Sequence, residues 1–210
     1  MTLWQGGSTE MPLATSFSRS KSPAYIEGKL VRLRAPMSSD FKVWSELRGL
    51  SRQHLEPWEP TWASDELSRE AYRRRLRRYQ QAERDAIGYM HFIFKANDNA
   101  FAGGVQVSNI RQGIAQSAAT IGYWIGEPYA SQGLMTDAVA TVVKHFFDRM
   151  GFHRLEAACL PNNAASRRVL TKCGFIAEGT ARKYLRINGE WQDHLLFAVI
   201  SSDPLPTPKA

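Results

Sequence analysis

The sequence has few of the residues that build disulfide frameworks, metal sites or membrane helices. Only two cysteines occur, Cys159 and Cys173, and they form no C-x-x-C spacing. The five histidines include no H-x-x-x-H pair, which argues against a metal site. No apolar run approaches the roughly 20 residues of a membrane helix, and the N-terminus has no continuous apolar signal segment. We therefore expect a cytoplasmic protein without a membrane partner.

The residues that are present fit one globular domain. The chain of 210 residues is 43% hydrophobic and 22% charged, which is typical of soluble proteins. Residues 1–24 mix Gly, Ser, Thr and Pro with scattered charges, and residues 203–210 are rich in proline. We therefore predict mobile tails at both ends of a domain that spans residues 25–202.

The formal net charge of +7 is concentrated in one segment. Seven arginines occur between Arg69 and Arg84, against two glutamates. Such a segment could contact a phosphate-rich partner such as the ribosome or another RNA. The interpretation we favour is the solvated face of an amphipathic helix, whose buried stripe is formed by Leu67, Tyr72, Leu76 and Tyr79.

The hydrophobic pattern predicts an order of strands and helices that defines the fold class. Strands are expected at 27–35, 86–95, 101–109, 118–126, 153–160, 175–187 and 190–201, the last two joined by a hairpin turn at Asn188-Gly189. Helices are expected at 41–50 with Ser38 or Ser39 as N-cap, and at 64–83, 135–150 and 163–173. This order indicates an α/β (α+β) protein with a mixed, mostly antiparallel twisted sheet of about seven strands and helices on both faces.

One strand–turn–helix junction has the features of an anion site. The strand ends near Gly126, Pro128 stops it, and Gly133 lies in the turn before the long helix. A helix start presents unpaired N–H groups and a partial positive charge, and glycine leaves room for a phosphate. The segment contains neither a G-x-x-x-x-G-K-S/T loop nor a G-x-G-x-x-G fingerprint, so a nucleotide-triphosphate or dinucleotide site is not indicated.

Two segments resemble the GNAT acetyltransferase family. GYWIGEPYASQGLMTDAV resembles the family's motif A, whose turn binds the pyrophosphate of acetyl-CoA, and PNNAASRRVLTKCGFIAEG resembles its N-x-x-S-x-x-V-L-x-K-x-G-F segment. The resemblance covers residues 26–201 and implies the GNAT fold and acetyl-CoA as cofactor. HLEPWEP, QGLM and the ending EGTARKYLRINGEWQDHLLFAV resemble the RimJ/RimL group, which acetylates N-termini of ribosomal proteins.

The sequence also departs from the family pattern. The phosphate turn has Ala130 and Met135 at flanking positions of the usual Q/R-x-x-G-x-G/A motif. Thr120 stands where many members have a glutamate that acts as base through water. Leu170 stands where many have a tyrosine that protonates the leaving thiolate. Neither of the usual acid–base residues can be transferred to this chain.

The resemblance implies roles for particular residues. The strand from Tyr123 to Gly126 would diverge from its neighbour and pair with the pantetheine arm, while Asn163 would contact that arm and Ser166 would donate towards the sulfur. Helix capping is the alternative for Asn163 and Ser166. The cofactor-binding set is Tyr123, Trp124, Ile125, Gly126, Gln132, Gly133, Leu134, Met135, Thr136, Asn163 and Ser166.

The substrate side is expected at Trp58 and Glu59, where an aromatic wall and a carboxylate could hold an ammonium group. The alternative is a loop anchored by a buried tryptophan. Asp193 is added as a substrate contact and Tyr184 as a proton relay. The predicted catalytic residues are Ser166, Asn163, Glu59 and Tyr184.

Three functions remain open from the sequence. The first is acetylation of a protein N-terminus, Ala or Ser of a ribosomal protein, by a monomer or homodimer. The second is acetylation of a small amine such as an antibiotic, a polyamine or an amino-acid-like toxin, because a fold does not fix its substrate. The third is a non-catalytic acyl-CoA-binding factor associated with the ribosome.

Overall fold

The structure is a computed structural model that describes residues 24–111 and 118–206. Most of the predicted N-terminal tail and the end of the C-terminal tail lie outside the described residues. The strands are β1 (Ile26–Glu27), β2 (Val31–Arg34), β3 (Tyr89–Lys95), β4 (Phe101–Arg111), β5 (Ala118–Ile125), β6 (Arg154–Cys159), β7 (Ile176–Ile187) and β8 (Glu190–Ile200). The helices are α1 (Phe41–Leu50), α2 (Arg52–Leu55), α3 (Arg69–Arg84), α4 (Leu134–Asp148) and α5 (Ala164–Lys172).

The described strands form one sheet in the order β1-β2-β3-β4-β5-β6-β8-β7. Neighbouring strands are antiparallel except β5 and β6, which are parallel. The predicted mixed, mostly antiparallel sheet is thus confirmed. It has eight strands rather than about seven, because the Gly28 N–H donates to the Val31 carbonyl at 2.8 Å and this turn divides the first expected strand into β1 and β2.

Helices cover both faces of the sheet, as predicted, and the two cores differ in composition. Alternate residues of a strand point to opposite faces. On β3, Ile93 packs into a largely aliphatic core beneath α4 and α5, whereas Phe92 and Phe94 pack into an aromatic core beneath α1 and α3. The aromatic core contains Trp44 and Tyr72, both almost fully buried.

The starts of two helices differ from the prediction. Ser38 and Ser39 form a short 3₁₀ turn, and Asp40 directly precedes α1 because its carboxylate is fixed by Arg34 and the Met37 N–H. The predicted serine N-cap is therefore wrong. Helix α3 begins at Arg69 rather than near residue 64, because the Ser68 side chain accepts the Ala71 N–H at 3.0 Å and caps it.

The Arg-rich helix α3 is amphipathic, as expected. Tyr72 and Leu76 are buried, and Leu67 and Tyr79 pack at the edge of the same core. Two of its arginines are paired, Arg74 with Asp65 and Arg75 with Glu66. The remaining exposed arginines on this helix include Arg73, Arg77 and Arg78, for which no ion pair occurs among the described residues.

The strands β5 and β6 separate along their length, and this separation positions the site. They pair only at Ala118–Arg154, Ala119–Leu155 and Thr120–Glu156. Beyond Thr120, β5 continues beside β4 while β6 continues beside β8. A cleft therefore opens between the two strands in the centre of the sheet.

Candidate active site

A cavity of about 740 Å³ fills the cleft between β5 and β6. One half of its wall comes from the N-terminal ends of α4 and α5, on the aliphatic side of the sheet. The other half comes from the α2 segment and the β7–β8 hairpin. We call the first part the cofactor half and define it by residues Tyr129–Thr136 and Asn162–Lys172. We call the second part the acceptor half and define it by His54–Glu59 with Leu185, Ile187 and His194.

The start of α4, in the cofactor half, has the backbone geometry of an anion cradle. Gly133 is its N-cap, with the left-handed backbone angle φ of 79° that favours glycine, and no side chain among the described residues caps the helix. The loop before it is held by a hydrogen bond of 2.7 Å from the Gln132 amide to the Pro128 carbonyl. The first helical turn borders the cavity, and its N–H groups have no side-chain acceptor in the described part of the chain, as an anion site requires.

Helix α4 is held against the sheet by a buried carboxylate. Asp137 accepts the N–H groups of Leu30 and Val31 at 2.7 and 3.2 Å. A Cβ on Gly28 would lie 2.6 Å from that carboxylate, so only glycine fits there. Met135 points into the aliphatic core while its backbone borders the cavity.

The strand β5 supplies one side of the cleft through Tyr123, Trp124 and Ile125. Their backbone has no β6 partner, because the two strands have already separated. A linear chain with amide groups could pair with this free strand edge as an additional strand would. The glycines opposite Trp124 make its position possible, since a Cβ on Gly103 would lie 2.3 Å from the Trp124 carbonyl oxygen.

The start of α5 adds hydroxyl groups at the narrow part of the cleft. Asn163 caps the helix by accepting the Ser166 N–H at 2.9 Å. The Ser166 hydroxyl lies 2.9 Å from the Tyr123 hydroxyl. Burial raises the pKa of Tyr123, so its phenol stays protonated and the Ser166–Tyr123 pair keeps a hydroxyl hydrogen to donate in a hydrogen bond. Burial also raises the pKa of Cys159, which lies in the same wall as a neutral thiol.

The acceptor half contains the predicted pair Trp58 and Glu59. Both oxygens of Glu59 are occupied by Arg48, at 2.8 and 2.7 Å, and one also accepts the Trp62 indole N–H at 2.8 Å. Arg48 is almost fully buried and its guanidinium lies over the rings of Trp62 and Trp124. This arrangement makes Glu59 an anchor of the loop, and its carboxylate has little capacity left for proton transfer.

The hairpin closes the acceptor half from the other side. The Asn188 N–H donates to the Glu59 carbonyl at 2.9 Å, so the turn between β7 and β8 is tied to the loop. His194 on β8 reaches the cavity and is only 3% exposed. His194 is not among the site residues predicted from the sequence. The signal that could have identified it is a single histidine at the start of the otherwise apolar run HLLFAV.

Three predicted site residues lie outside the cavity wall. Gly126 lies against α1, where a Cβ would approach the Leu47 side chain to 2.4 Å. A glycine is therefore needed here so that the end of β5 can pack against α1. Tyr184 is half-exposed on β7 and stacks edge-on against His194, with ring centroids 5.8 Å apart. Asp193 borders a neighbouring groove and accepts the Lys183 N–H at 2.8 Å. The other predicted residues border the cavity together.

Comparison with known proteins identifies the family. A model of the acetyltransferase (GNAT) domain matches residues 31–176. The chain belongs to the GNAT acetyltransferase family. The GNAT fold and the membership inferred from the two motifs are thereby confirmed.

Relatives of known sequence or structure are similar over most of the chain. The probable N-acetyltransferase YjcK of Bacillus subtilis is 35% identical over 85% of this chain and 98% of its own length. The [ribosomal protein uS5]-alanine N-acetyltransferase of Escherichia coli is 29% identical over 83% of this chain and 91% of its own. The structure of Mycobacterium smegmatis RimJ in complex with CoA-disulfide superposes with a TM-score of 0.77, at 33% identity over 81% of each chain.

The GNAT protein is therefore an acyltransferase that uses acetyl-CoA, related to the ribosomal-protein N-acetyltransferases. The cofactor supplies the acetyl group as a thioester. The residues present fit it: uncapped amides at Gly133–Thr136 for a pyrophosphate, a free strand edge at Tyr123–Ile125 for the pantetheine arm, and a protonated hydroxyl pair for the thiolate. Within residues 24–111 and 118–206, no helix has the length and apolar character to cross a membrane.

Proposed function

We propose that this enzyme acetylates the N-terminal α-amine of a protein in the cytoplasm, with Ala or Ser of a ribosomal protein as the acceptor. The supporting observation is a second groove of about 590 Å³ that shares Leu160, Asn162 and Ile187 with the cavity wall. This groove borders the acceptor half at Ile187, and its wall also includes Pro57 and Asp193. A polypeptide that continues beyond its reacting amine needs such an exit, whereas a small amine does not.

The acid–base residues of the site also favour an α-amine as the acceptor. An α-amine has a pKa of about 7.7–8.0 and a lysine side chain about 10.4, so a much larger fraction of the α-amine is neutral at pH 7. Thr120 removes the glutamate that many family members use as base. The E. coli relative is a [ribosomal protein uS5]-alanine N-acetyltransferase, which agrees with this acceptor.

The remaining assignments complete the proposal. Residues 25–202 form the catalytic domain with a tail on either side, and the enzyme acts as a monomer or homodimer. The exposed Arg73, Arg77 and Arg78 on α3 lie outside both cavity halves, so they provide a contact for the ribosome that is separate from the site.

The test is thiol release from acetyl-CoA with a panel of acceptors. The panel contains peptides that begin with Ala, Ser or Met, the Ala peptide with a blocked N-terminus and an internal lysine, a polyamine and an aminoglycoside. We expect turnover only on free Ala and Ser N-termini. Turnover confined to the polyamine or the aminoglycoside would overturn the peptide acceptor and establish the small-amine alternative with the same cofactor site.

A further inference from the structure

The acceptor half contains a buried imidazole to which the usual family pattern gives no role. His194 borders the cavity together with Leu185, Ile187 and Trp58. We propose that His194 accepts the proton that the acceptor amine loses as it is acetylated. This inference rests on the amine entering the acceptor half, and it applies to a peptide and to a small amine alike.

The hydrogen bond of the ring fixes which nitrogen is free. The Nδ1 atom lies 3.0 Å from the Gln192 carbonyl oxygen. A carbonyl oxygen can only accept a hydrogen bond, so Nδ1 carries the proton of the neutral ring. The Nε2 atom then has a free lone pair, which is the state that a proton acceptor requires. The Tyr184 ring packs edge-on against the imidazole and limits its rotation.

The other titratable groups near the acceptor half are less suitable. Both Glu59 oxygens are held by Arg48. Burial raises the pKa of the Cys159 thiol and keeps it neutral. Asp193, next to His194 in sequence, borders the second groove. His54 also borders the cavity, but no hydrogen bond among the described residues fixes its tautomer.

The proposed step balances with the groups on the two sides of the cleft. The neutral amine nitrogen forms a bond to the acetyl carbon, and the bond between that carbon and sulfur breaks. The proton on the nitrogen passes to His194 Nε2. The departing thiolate takes a proton from the hydroxyl pair of Ser166 and Tyr123 on the cofactor side, and the pair regains a proton from water. His194 returns its proton to water after the product leaves.

The test compares His194→Asn with the wild type across pH. The asparagine amide replaces the Nδ1 donor to Gln192 but has no basic nitrogen at the Nε2 position. We expect kcat/KM at pH 7 to fall about 100-fold, within the range of general base catalysis. The acid limb of the wild-type pH profile should contain two ionisations, of the amine and of an imidazole, whereas the variant should retain only that of the amine.

Three controls separate catalysis from structure. His153→Asn, which changes an exposed histidine outside the cavity, should keep the wild-type profile. The acetyl-CoA Kd of His194→Asn should stay unchanged, because His194 lies in the acceptor half. Nitrogen-15 spectra of the neutral wild-type ring should show the proton on Nδ1. Because these spectra are recorded on the wild-type protein, they test the proposal even if the His194→Asn variant does not fold.

Clear outcomes would overturn the role of His194. These are an unchanged profile in His194→Asn, a slower variant that keeps both ionisations, or a proton on Nε2 in the neutral ring. Failure of the N-terminal acceptor is a different result, because it appears as absent wild-type turnover on peptides. The variants are then compared on the acceptor that the wild type does use or, without one, on the hydrolysis of acetyl-CoA, where water replaces the amine.

Discussion

The two halves of the cavity are built from different parts of the chain. The cofactor half relies on backbone: the uncapped amides that follow Gly133 and the free edge of β5. The acceptor half relies on side chains. Arg48 on α1 holds Glu59, and Tyr184 on β7 packs against His194 on β8, so each contact joins two different elements. Backbone groups are presented by almost any residue that fits the local conformation, whereas a side-chain network depends on each of its members.

This difference explains why the cofactor half tolerates Ala130 and Met135 at positions where the family motif has other residues. The amides of the first α4 turn still face the cavity, and the Met135 side chain packs in the core. In the acceptor half, a change at Arg48 removes the partner of Glu59 and the cation over two indole rings at once. The two halves should therefore respond to mutation separately.

The largest expected effect on ligand affinity is in the cofactor half. Gly133→Glu places a carboxylate at the phosphate cradle, and we expect acetyl-CoA affinity to fall roughly 100-fold or more, about 3 kcal/mol. The acetyl-CoA affinity is measured by isothermal titration calorimetry. Gly151→Glu is the matched control, because Gly151 follows the other end of α4 with a φ of 70° and no neighbour within 4 Å of its Cβ position. Equal affinities of the two variants would contradict the assignment of the cradle.

The next effect concerns the acceptor half. Arg48→Met leaves Glu59 partly buried without its cation, and breaking such a pair typically costs about 3–5 kcal/mol of unfolding free energy. We expect the KM of the acceptor to rise while the Kd of acetyl-CoA stays unchanged. The double variant Arg48→Met/Glu59→Met should recover part of the stability in denaturant titrations but none of the acceptor binding. A weaker acetyl-CoA Kd in either variant would show that the halves are coupled.

A smaller effect distinguishes capping from cofactor contact at α5. Asn163→Ala should lower the unfolding free energy by about 1 kcal/mol, whereas Asn163→Asp keeps the cap. If the Asn163 amide also contacts the pantetheine arm, both variants should bind acetyl-CoA about tenfold more weakly, the equivalent of one hydrogen bond. Wild-type affinity in Asn163→Asp would reduce the role of Asn163 to the cap.

The smallest effect is expected outside both halves. Replacing Arg73, Arg77 and Arg78 by glutamine should leave kcat/KM on a short peptide unchanged and weaken co-sedimentation with ribosomes at low salt. The matched control replaces Arg74, which is already paired with Asp65. Reduced turnover on the short peptide would place α3 within the acceptor site.

The parts predicted from sequence are those with local signals. Asn188-Gly189 predicted the β7–β8 hairpin, and Gly133 predicted the turn into α4, because turn and cap residues act through their own backbone. The split between β1 and β2 was missed, because Gly28 is required by the Asp137 carboxylate more than 100 residues away.

The acceptor half was only partly predicted for the same reason. Trp58 and Glu59 were identified as residues of this wall, but Arg48 lies 11 positions from Glu59 and on another element. No local pattern predicts that pair. The single histidine in the apolar run HLLFAV marks a candidate, and the packing of β8 beside β6 is what shows that its imidazole borders the cavity.

The most direct test of the two-half account is backbone amide hydrogen exchange with each ligand added alone. Coenzyme A should slow exchange in residues 121–136 and 162–168 and leave 54–62 and 185–194 unchanged. The blocked-product peptide, an acetylated Ala N-terminus, should slow exchange in 54–62 and 185–194. Protection of 54–62 by coenzyme A, with none in 131–136, would contradict the account.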